Sequence, residues 1–436
     1  MKLTKLHLTN YRAAENLEID LHRRLNVFIG ANGAGKTTVL ESIAIMLSWV
    51  VKRIENPKGS GQQIIPFHIT NGKTFSRIEL YSEVNNELLT WKLYKVRQGK
   101  LNLSKENSIL TTLKIYTEKV REQLTYQNAT NLTLFVYYPV NRAVLDIPLK
   151  IRKKHLFEPL AAYENSLTSG ADFRIFFEWF RQREDIENEN FKLIQKNQQN
   201  PLLQNNNIED NITYPDRQLE TVRKAIENFL PGFTNPTVRR SPLRLEITKH
   251  TETLRIDQLS DGEKCLVAMV GDLARRMVML HQNHSEPLNA SGIILIDEID
   301  LHLHPQWQRL IIPTLLKTFP NCQFIITTHS PHVVTHVQPE NLQIIHQTEK
   351  GLKVNLATES YGKTAERILE DLMGLATTRP SEIEQFLQEI YLDIDQHQLD
   401  NAKNKLNSLR ETIKSTADSE LTRLELMIRR EERKNR

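Results

Sequence analysis

The segment Val27-Phe28-Ile29-Gly30-Ala31-Asn32-Gly33-Ala34-Gly35-Lys36-Thr37-Thr38 constrains this chain more than any other. It sets an apolar strand directly against a G-x-x-x-x-G-K-T turn, with a helix expected to begin near Lys36. Glycines at 30, 33 and 35 let the backbone fold tightly, so that successive N–H groups converge at the positive end of that helix. A concavity of this kind takes a phosphate chain. Lys36 is expected to reach its outer phosphates and Thr37 to hold Mg²⁺, while Asn32, Gly33, Ala34, Gly35 and Thr38 complete the cradle. Strand, turn and helix in this order predict an α/β fold that binds a nucleoside triphosphate.

Three further segments follow in the order such a site needs. Leu259-Ser260-Asp261-Gly262-Glu263-Lys264 resembles the signature of ABC-type ATPases. It carries Asp261 and Glu263 where transporters usually have Gly and Gln, changes that the SMC and RecF branch tolerates. Gly292-Ile293-Ile294-Leu295-Ile296-Asp297-Glu298 is a buried-strand run ending in two acids. Asp297 is expected to support the Mg²⁺ shell and Glu298 to polarise the attacking water as general base. Phe324-Ile325-Ile326-Thr327-Thr328-His329-Ser330-Pro331 repeats the design, with His329 expected to sense the γ-phosphate. Singly, each has a plainer account: a helix N-terminus, an acid pair closing a strand, a core histidine. Together, downstream of the glycine turn, they resemble an ATP-hydrolysing ABC-type P-loop head.

Composition sets limits. At 436 residues the chain can bury a core and append a second module. A net charge of +4 is too small to argue for a nucleic-acid partner. Cys265 and Cys322 form no C-x-x-C, which fits a reduced compartment. The longest apolar stretch, around Val39 to Val51, is interrupted by Glu41, Ser42 and Ser48, and is shorter than the roughly 20 residues that span a bilayer. The opening Met1-Lys2-Leu3-Thr4-Lys5-Leu6-His7 lacks a signal-peptide apolar region. A cytoplasmic protein with no membrane partner is therefore expected.

The motifs divide the chain. Residues 1–100 form the first part of the head, with a hairpin expected at 2–21 and strands at 75–83 and 87–96. Residues 101–240 read as a mainly helical insertion. Within it, the polar stretch 184–213 is expected to be a solvated arm or disordered loop, having little to bury. Residues 241–357 carry the signature, the strand-end acids and the histidine, and 358–436 read as a helical tail. The fold class is thus α/β, an ABC-type P-loop ATPase head with a helical insertion and a C-terminal helical tail.

Narrower resemblance rests on other stretches. The insertion between Thr37 and Leu259 is far shorter than the coiled-coil arms of SMC proteins and sustains no heptads, and the nearer likeness is to RecF and the heads of OLD-type proteins. Asn10-Tyr11-Arg12 matches their N-[FY]-[RK] motif, which implies that Arg12 approaches the nucleotide; a solvated edge-strand arginine is the alternative. Gln62 and Gln63 are candidates for a Q-loop glutamine by position alone. Asp297-Glu298-Ile299-Asp300-Leu301-His302-Leu303-His304-Pro305-Gln306-Trp307-Gln308 is similar to a segment of OLD-like and defence-system ATPases. There Asp300 takes the D-loop position and helps couple two ATP sites. His302 and His304 could be read as metal ligands, but no third ligand stands at a recognisable spacing, and a turn into the next helix with Pro305 in its first turn accounts for them.

Tyr137-Tyr138-Pro139-Val140-Asn141-Arg142 resembles the Y-Y-P-x-N-R segment of the PtuA-like ATPases of Septu and retron antiphage systems. The run from Tyr361-Gly362 through Ile368-Leu369 to Met373-Gly374 and Arg379-Pro380 resembles the start of their tail. The resemblance implies a homodimer or higher homo-oligomer sandwiching two ATP molecules, with Ser260 and Gly262 of one copy completing the other's site. It also implies an HNH-type, PtuB-like nuclease partner and, in retron settings, a reverse transcriptase with its RNA and DNA.

A self-sufficient OLD-type nuclease and a RecF-like DNA-repair ATPase are the rival readings. Asp393-Ile394-Asp395 has the spelling of an OLD nuclease metal pair. It lies, however, on a helical stripe with Ile383, Phe386, Leu387, Ile390 and Tyr391, so both acids are expected at solvated helix positions and the nuclease in another chain. Leu399, Ala402, Leu406, Leu409 and Ile413 continue the helical spacing. The cluster Lys150-Ile151-Arg152-Lys153-Lys154-His155 is the better candidate for DNA or RNA contact. The run Arg429-Arg430-Glu431-Glu432-Arg433-Lys434 reads as a solvated helix end.

Overall fold

The computed structural model describes residues 1–101, 105–126, 132–140, 157–168, 171–199, 213–349, 351–414 and 418–434. It divides into two compact units, Met1–Lys363 and Thr364–Arg436.

The first unit is organised by apolar runs that can only be strands buried on both faces. These are β3 (Leu25–Ile29), β6 (Leu134–Tyr138), β10 (Gly292–Ile296) and β11 (Cys322–Thr327), every residue of which is buried. With β12 (Leu342–Thr348) and β13 (Gly351–Leu356) they form a six-stranded sheet in the order β13-β12-β3-β11-β10-β6. All neighbours pair in parallel except β12 and β13, a hairpin at one edge. Helix α1 (Lys36–Glu55), apolar over most of its surface, packs beneath it.

A separate antiparallel sheet, β2-β1-β4-β5, comes from β1 (Lys2–Tyr11), β2 (Ala14–Asp20), β4 (Phe75–Val84) and β5 (Glu87–Val96). The alternating burial along β1 and β4 shows one face packed and the other wetter. A third sheet joins β7 (Phe233–Arg240), β8 (Leu243–Lys249) and β9 (Glu252–Arg255) just before the signature segment.

Two expectations for residues 101–240 need correction. That stretch contains the helices α2 (Thr111–Tyr126), α3 (Phe173–Gln199) and α4 (Arg217–Phe229), but it also supplies β6, an integral strand of the main sheet. Nor is its polar part, as far as described, a loop: residues 184–199 are the second half of α3, mostly exposed from 188 to 196. Glu184 and Glu187 are buried because their charges are met. Glu184 accepts from Thr237 Oγ1 at 2.6 Å and Val238 N–H at 3.0 Å and pairs with Arg240, while Arg223 lies 2.9 Å from Glu187. Residues 200–212 lie outside the described residues, as do Asn141, Arg142 and the basic cluster at 150–155.

The start of α5 (Asp261–Leu280) carries the signature, and deeper along it Asp272 receives Arg275 at 2.6 Å, Arg276 at 2.7 Å and the Tyr138 hydroxyl at 3.0 Å, all buried. Burial alone would raise the Asp272 carboxyl, but Arg276 and Arg275 outweigh it and hold it below its usual range.

The second unit holds α8 (Ala365–Asp371), α9 (Ser381–Asp395), α10 (Leu399–Ile413) and α11 (Ser419–Lys434). Leu387, Ile390, Ile394, Leu406, Leu409 and Leu424 form the core of its last three helices. Asp395 is exposed, but Asp393 is not solvated as expected: it is buried against α10, with Lys405 Nζ 3.0 Å from its Oδ2. No helix of the described residues is long and apolar enough to cross a membrane.

Glu184→Ala should lower the stability of the first unit by about 3 kcal/mol, because it leaves the buried Val238 N–H and the Thr237 hydroxyl without their acceptor and removes one of the two carboxylates on Arg240. Urea unfolding followed by tryptophan fluorescence measures this, and an unchanged midpoint would refute the role given to Glu184.

Candidate nucleotide site

Parallel pairing places the carboxyl ends of β3, β10 and β11 side by side, with Thr327 opposite Phe28 and Ile296 opposite Ile326. Crevices outside such strand ends are where α/β sheets bind ligands. Each strand hands its next residues to one place: Gly30–Lys36 after β3, Asp297 and Glu298 after β10, and Thr328 and His329 after β11.

The turn after β3 works because its glycines do what other residues cannot. At Gly30 a Cβ would meet the Ile345 carbonyl oxygen at 2.4 Å, and Gly35, with φ +93°, would press on Leu352. The hairpin β12–β13 therefore backs the turn. Lys36 folds over it, donating to the carbonyls of Gly30 at 2.9 Å and Ala31 at 3.0 Å. Burial lowers the Lys36 ammonium pKa, opposed by Glu298, Asp297 and Asp300. Asn32 and Gly33 are exposed at the tip, whereas Ala34 and Thr38 are buried.

Asp297 is wholly buried and its oxygens are shared between elements. Thr37 Oγ1 donates to Oδ2 at 2.8 Å and Thr327 Oγ1 to Oδ1 at 2.5 Å. Thr327 Oγ1 also accepts from the Glu298 N–H at 2.7 Å, and this, with a left-handed φ of +46° at Glu298, turns the chain sharply off the strand. Thr328 donates to Asp300, whose carboxylate also accepts from the His329 N–H at 3.3 Å. Burial, then the nearby Lys36 charge, lowers the His329 imidazole pKa, against the pull of Glu298, Asp300 and Asp297.

Lys36, Thr37, Asp297, Glu298, Asp300 and His329 are thus gathered at one edge. Arg12, with φ +50°, is paired with Glu41 of α1 and lies 3.5 Å from His68. Ser260 and Gly262 lie at the start of α5, beside a different cavity. Ser260 caps the helix in a reciprocal box with Glu263, which Lys249 approaches at 2.9 Å. A Cβ on Gly262 would sit 2.3 Å from the His302 carbonyl oxygen, so this helix start and the turn after Asp300 are in backbone contact. His304 caps α6 (Pro305–Thr318), accepting from the Gln306 N–H. Gln62 docks on Ser48 at 2.7 Å, twelve positions beyond Lys36 and so about 18 Å along the helix. That is too far for contact with the turn. Sequence reasoning gave no role to Thr327, Thr328, Ile345 or Leu352. The two threonines stood in plain view between the strand and His329, but the other two act from a hairpin that carries no local motif.

A lysine-bearing glycine turn, a buried carboxylate and a histidine delivered together by parallel strands make this unit an ABC-type P-loop ATPase head. Comparison with known proteins narrows the class. An AAA-domain family description matches residues 5–231 and a second AAA-domain description residues 140–335. The chain is 30% identical over 426 residues to "Retron Ec83 probable ATPase" of Escherichia coli, covering 88% of this chain and 78% of that one. It is 32% identical to "Retron Vc95 probable ATPase" of Vibrio cholerae serotype O1 biovar El Tor (84% and 77% covered), and 26% identical to "Septu protein PtuA" of Bacillus thuringiensis (86% and 85%). The chain belongs to this family of retron and Septu ATPases.

Thr327→Val should leave the Glu298 N–H and one Asp297 oxygen without their shared partner, at a cost of about 1–3 kcal/mol. Thermal unfolding without nucleotide reads this out, and an unshifted midpoint would remove Thr327 from the network. Because the folded His329 pKa lies below the usual 6.5, its contribution to stability is complete above that pH and is lost as pH falls below it. His329→Gln should therefore flatten the acid limb of the stability profile, and an unaltered limb would contradict the assignment.

Proposed function

We propose that the chain binds and hydrolyses ATP with Mg²⁺, and that two copies do so as a head-to-head dimer. The observation that carries the reading is the 2.8 Å hydrogen bond from Thr37 to Asp297, which sets a hydroxyl and a carboxylate together beside the Lys36 turn. Both are hard oxygen donors suited to Mg²⁺, and they would hold the ion. When bound, it neutralises charge on the phosphates being cleaved.

The protein's own groups supply the rest. Lys36 exchanges the carbonyls of Gly30 and Ala31 for β- and γ-phosphate oxygens, and Asn32, Gly33, Ala34, Gly35 and Thr38 shape the cradle. Glu298 orients the attacking water and takes its proton as the new oxygen–phosphorus bond forms in line with the one that breaks, releasing ADP and phosphate. His329 contacts the γ-phosphate. Arg12 reaches the nucleotide by leaving Glu41. Ser260 and Gly262 of a second copy close over the same γ-phosphate, and Asp300 couples the two sites. Loss of that phosphate removes contacts made by both chains, which turns hydrolysis into a conformational signal.

Likeness over most of its length to proteins named for retrons and Septu supports placing this ATPase in cytoplasmic antiphage defence. There its nucleotide state would regulate an HNH-type, PtuB-like nuclease, in retron settings alongside a reverse transcriptase with its RNA and DNA. The rival OLD-type nuclease reading is disfavoured by Asp393, which is buried on a helix and paired with Lys405.

Glu298→Gln is expected to retain ATP binding, accumulate as a dimer in size-exclusion chromatography and lose nearly all turnover; an unchanged hydrolysis rate would exclude Glu298 as the base. The purified chain should hydrolyse ATP yet leave DNA and RNA intact in Mg²⁺ or Mn²⁺. Cleavage abolished by Asp393→Ala/Asp395→Ala would make it a nuclease in its own right.

A further inference from the structure

A cavity of about 1050 Å³ opens between the N-termini of α5 and α6. Phe233, Lys249, Ser260, His302, Trp307 and Arg309 are among the residues lining it, and no carboxylate is. Lys249 is partly spent, since it approaches Glu263 at 2.9 Å and lies 4.9 Å from the Phe233 ring centre. Arg309 is not: it is exposed and has no carboxylate partner among the described residues. Trp307, half-buried on the first turn of α6, contributes a flat aromatic surface. The starts of two helices, of 20 and 14 residues, add positive potential to the same space. Contact between Gly262 and the His302 carbonyl fixes those starts relative to each other.

Cations, an indole and no acid are the surroundings of a polyanion that carries flat rings. The cavity is too large for a lone phosphate and too concave for a rigid duplex, but it admits a strand whose bases can splay. We propose that it binds single-stranded nucleic acid, with Arg309 and Lys249 on the phosphates and a base stacked on Trp307. The site uses none of the residues of the phosphate turn, but Ser260 also lines it, so a bound strand and the head-to-head contact proposed above would compete for this face.

The test is fluorescence anisotropy of a labelled oligothymidylate with the full chain, without nucleotide, across a salt series. Trp307→Ala should weaken binding about tenfold, within the range of one lost stack, and Trp307→Phe should restore most of it. Arg309→Gln should lower affinity and reduce the slope of log affinity against log salt by about one. Affinity of these variants for a fluorescent ATP analogue should stay at the wild-type value, which separates loss of this cavity from misfolding. Absence of oligothymidylate binding at low salt, or equal affinity in all variants, overturns the proposal. So does a change in sedimentation without a change in anisotropy, which would assign the cavity to contact between copies of the chain.

Discussion

Asp297 joins three parts of the head that are distant in sequence. Its two oxygens take hydroxyls from Thr37 at the start of α1 and from Thr327 at the end of β11. Its own N–H donates to the Tyr138 carbonyl on β6 at 2.9 Å. A buried carboxylate is costly unless its lone pairs are met, so each partner must stand where the strand register puts it. The requirement runs both ways, since a shift of any one strand by a single residue would turn its hydroxyl or carbonyl to the other face. The nucleotide edge is therefore held in shape by a charge that the protein satisfies internally before any ligand arrives.

The same internal satisfaction recurs away from the site. Asp272 is enclosed by two arginines and a tyrosine. Glu184 and Glu187 are enclosed by Arg223, Arg240 and the backbone of β7. On α3 a stretch that looks too polar to pack is anchored because its charges meet partners from α4 and β7, whereas Asp272 is met by two arginines of its own helix and by Tyr138 of β6.

This is also the boundary of what the sequence made legible. The gathering of these side chains at the strand ends could be anticipated because each motif is contiguous: a glycine turn with Lys36, two acids at a strand end, a histidine at the next. The strands at Phe75–Val84 and Glu87–Val96 were legible from alternation, and the tail helices from the spacing of their apolar residues. Strand β6 was not, since five apolar residues in a row carry no period of their own and were absorbed into a region read as helical. The second half of α3 was missed because ion pairing across elements leaves no trace in local composition. Asp393 was misplaced for the same reason, its partner Lys405 lying on the next helix. The backing of the glycine turn by Ile345 and Leu352 depends on where β12 lies in the sheet, which is a property of topology rather than of any segment.

The contact between Gly262 and the His302 carbonyl leaves no space for even a methyl group. Two backbones that touch cannot slide past one another without first separating, so the beginning of α5 and the turn between Asp300 and α6 form one stiff corner. A push on Ser260 toward the turn would therefore reach Asp300, whose carboxylate holds Thr328 and the His329 amide. In mechanical terms the corner is a bell crank, which transmits displacement around a bend without storing it in side-chain rearrangement.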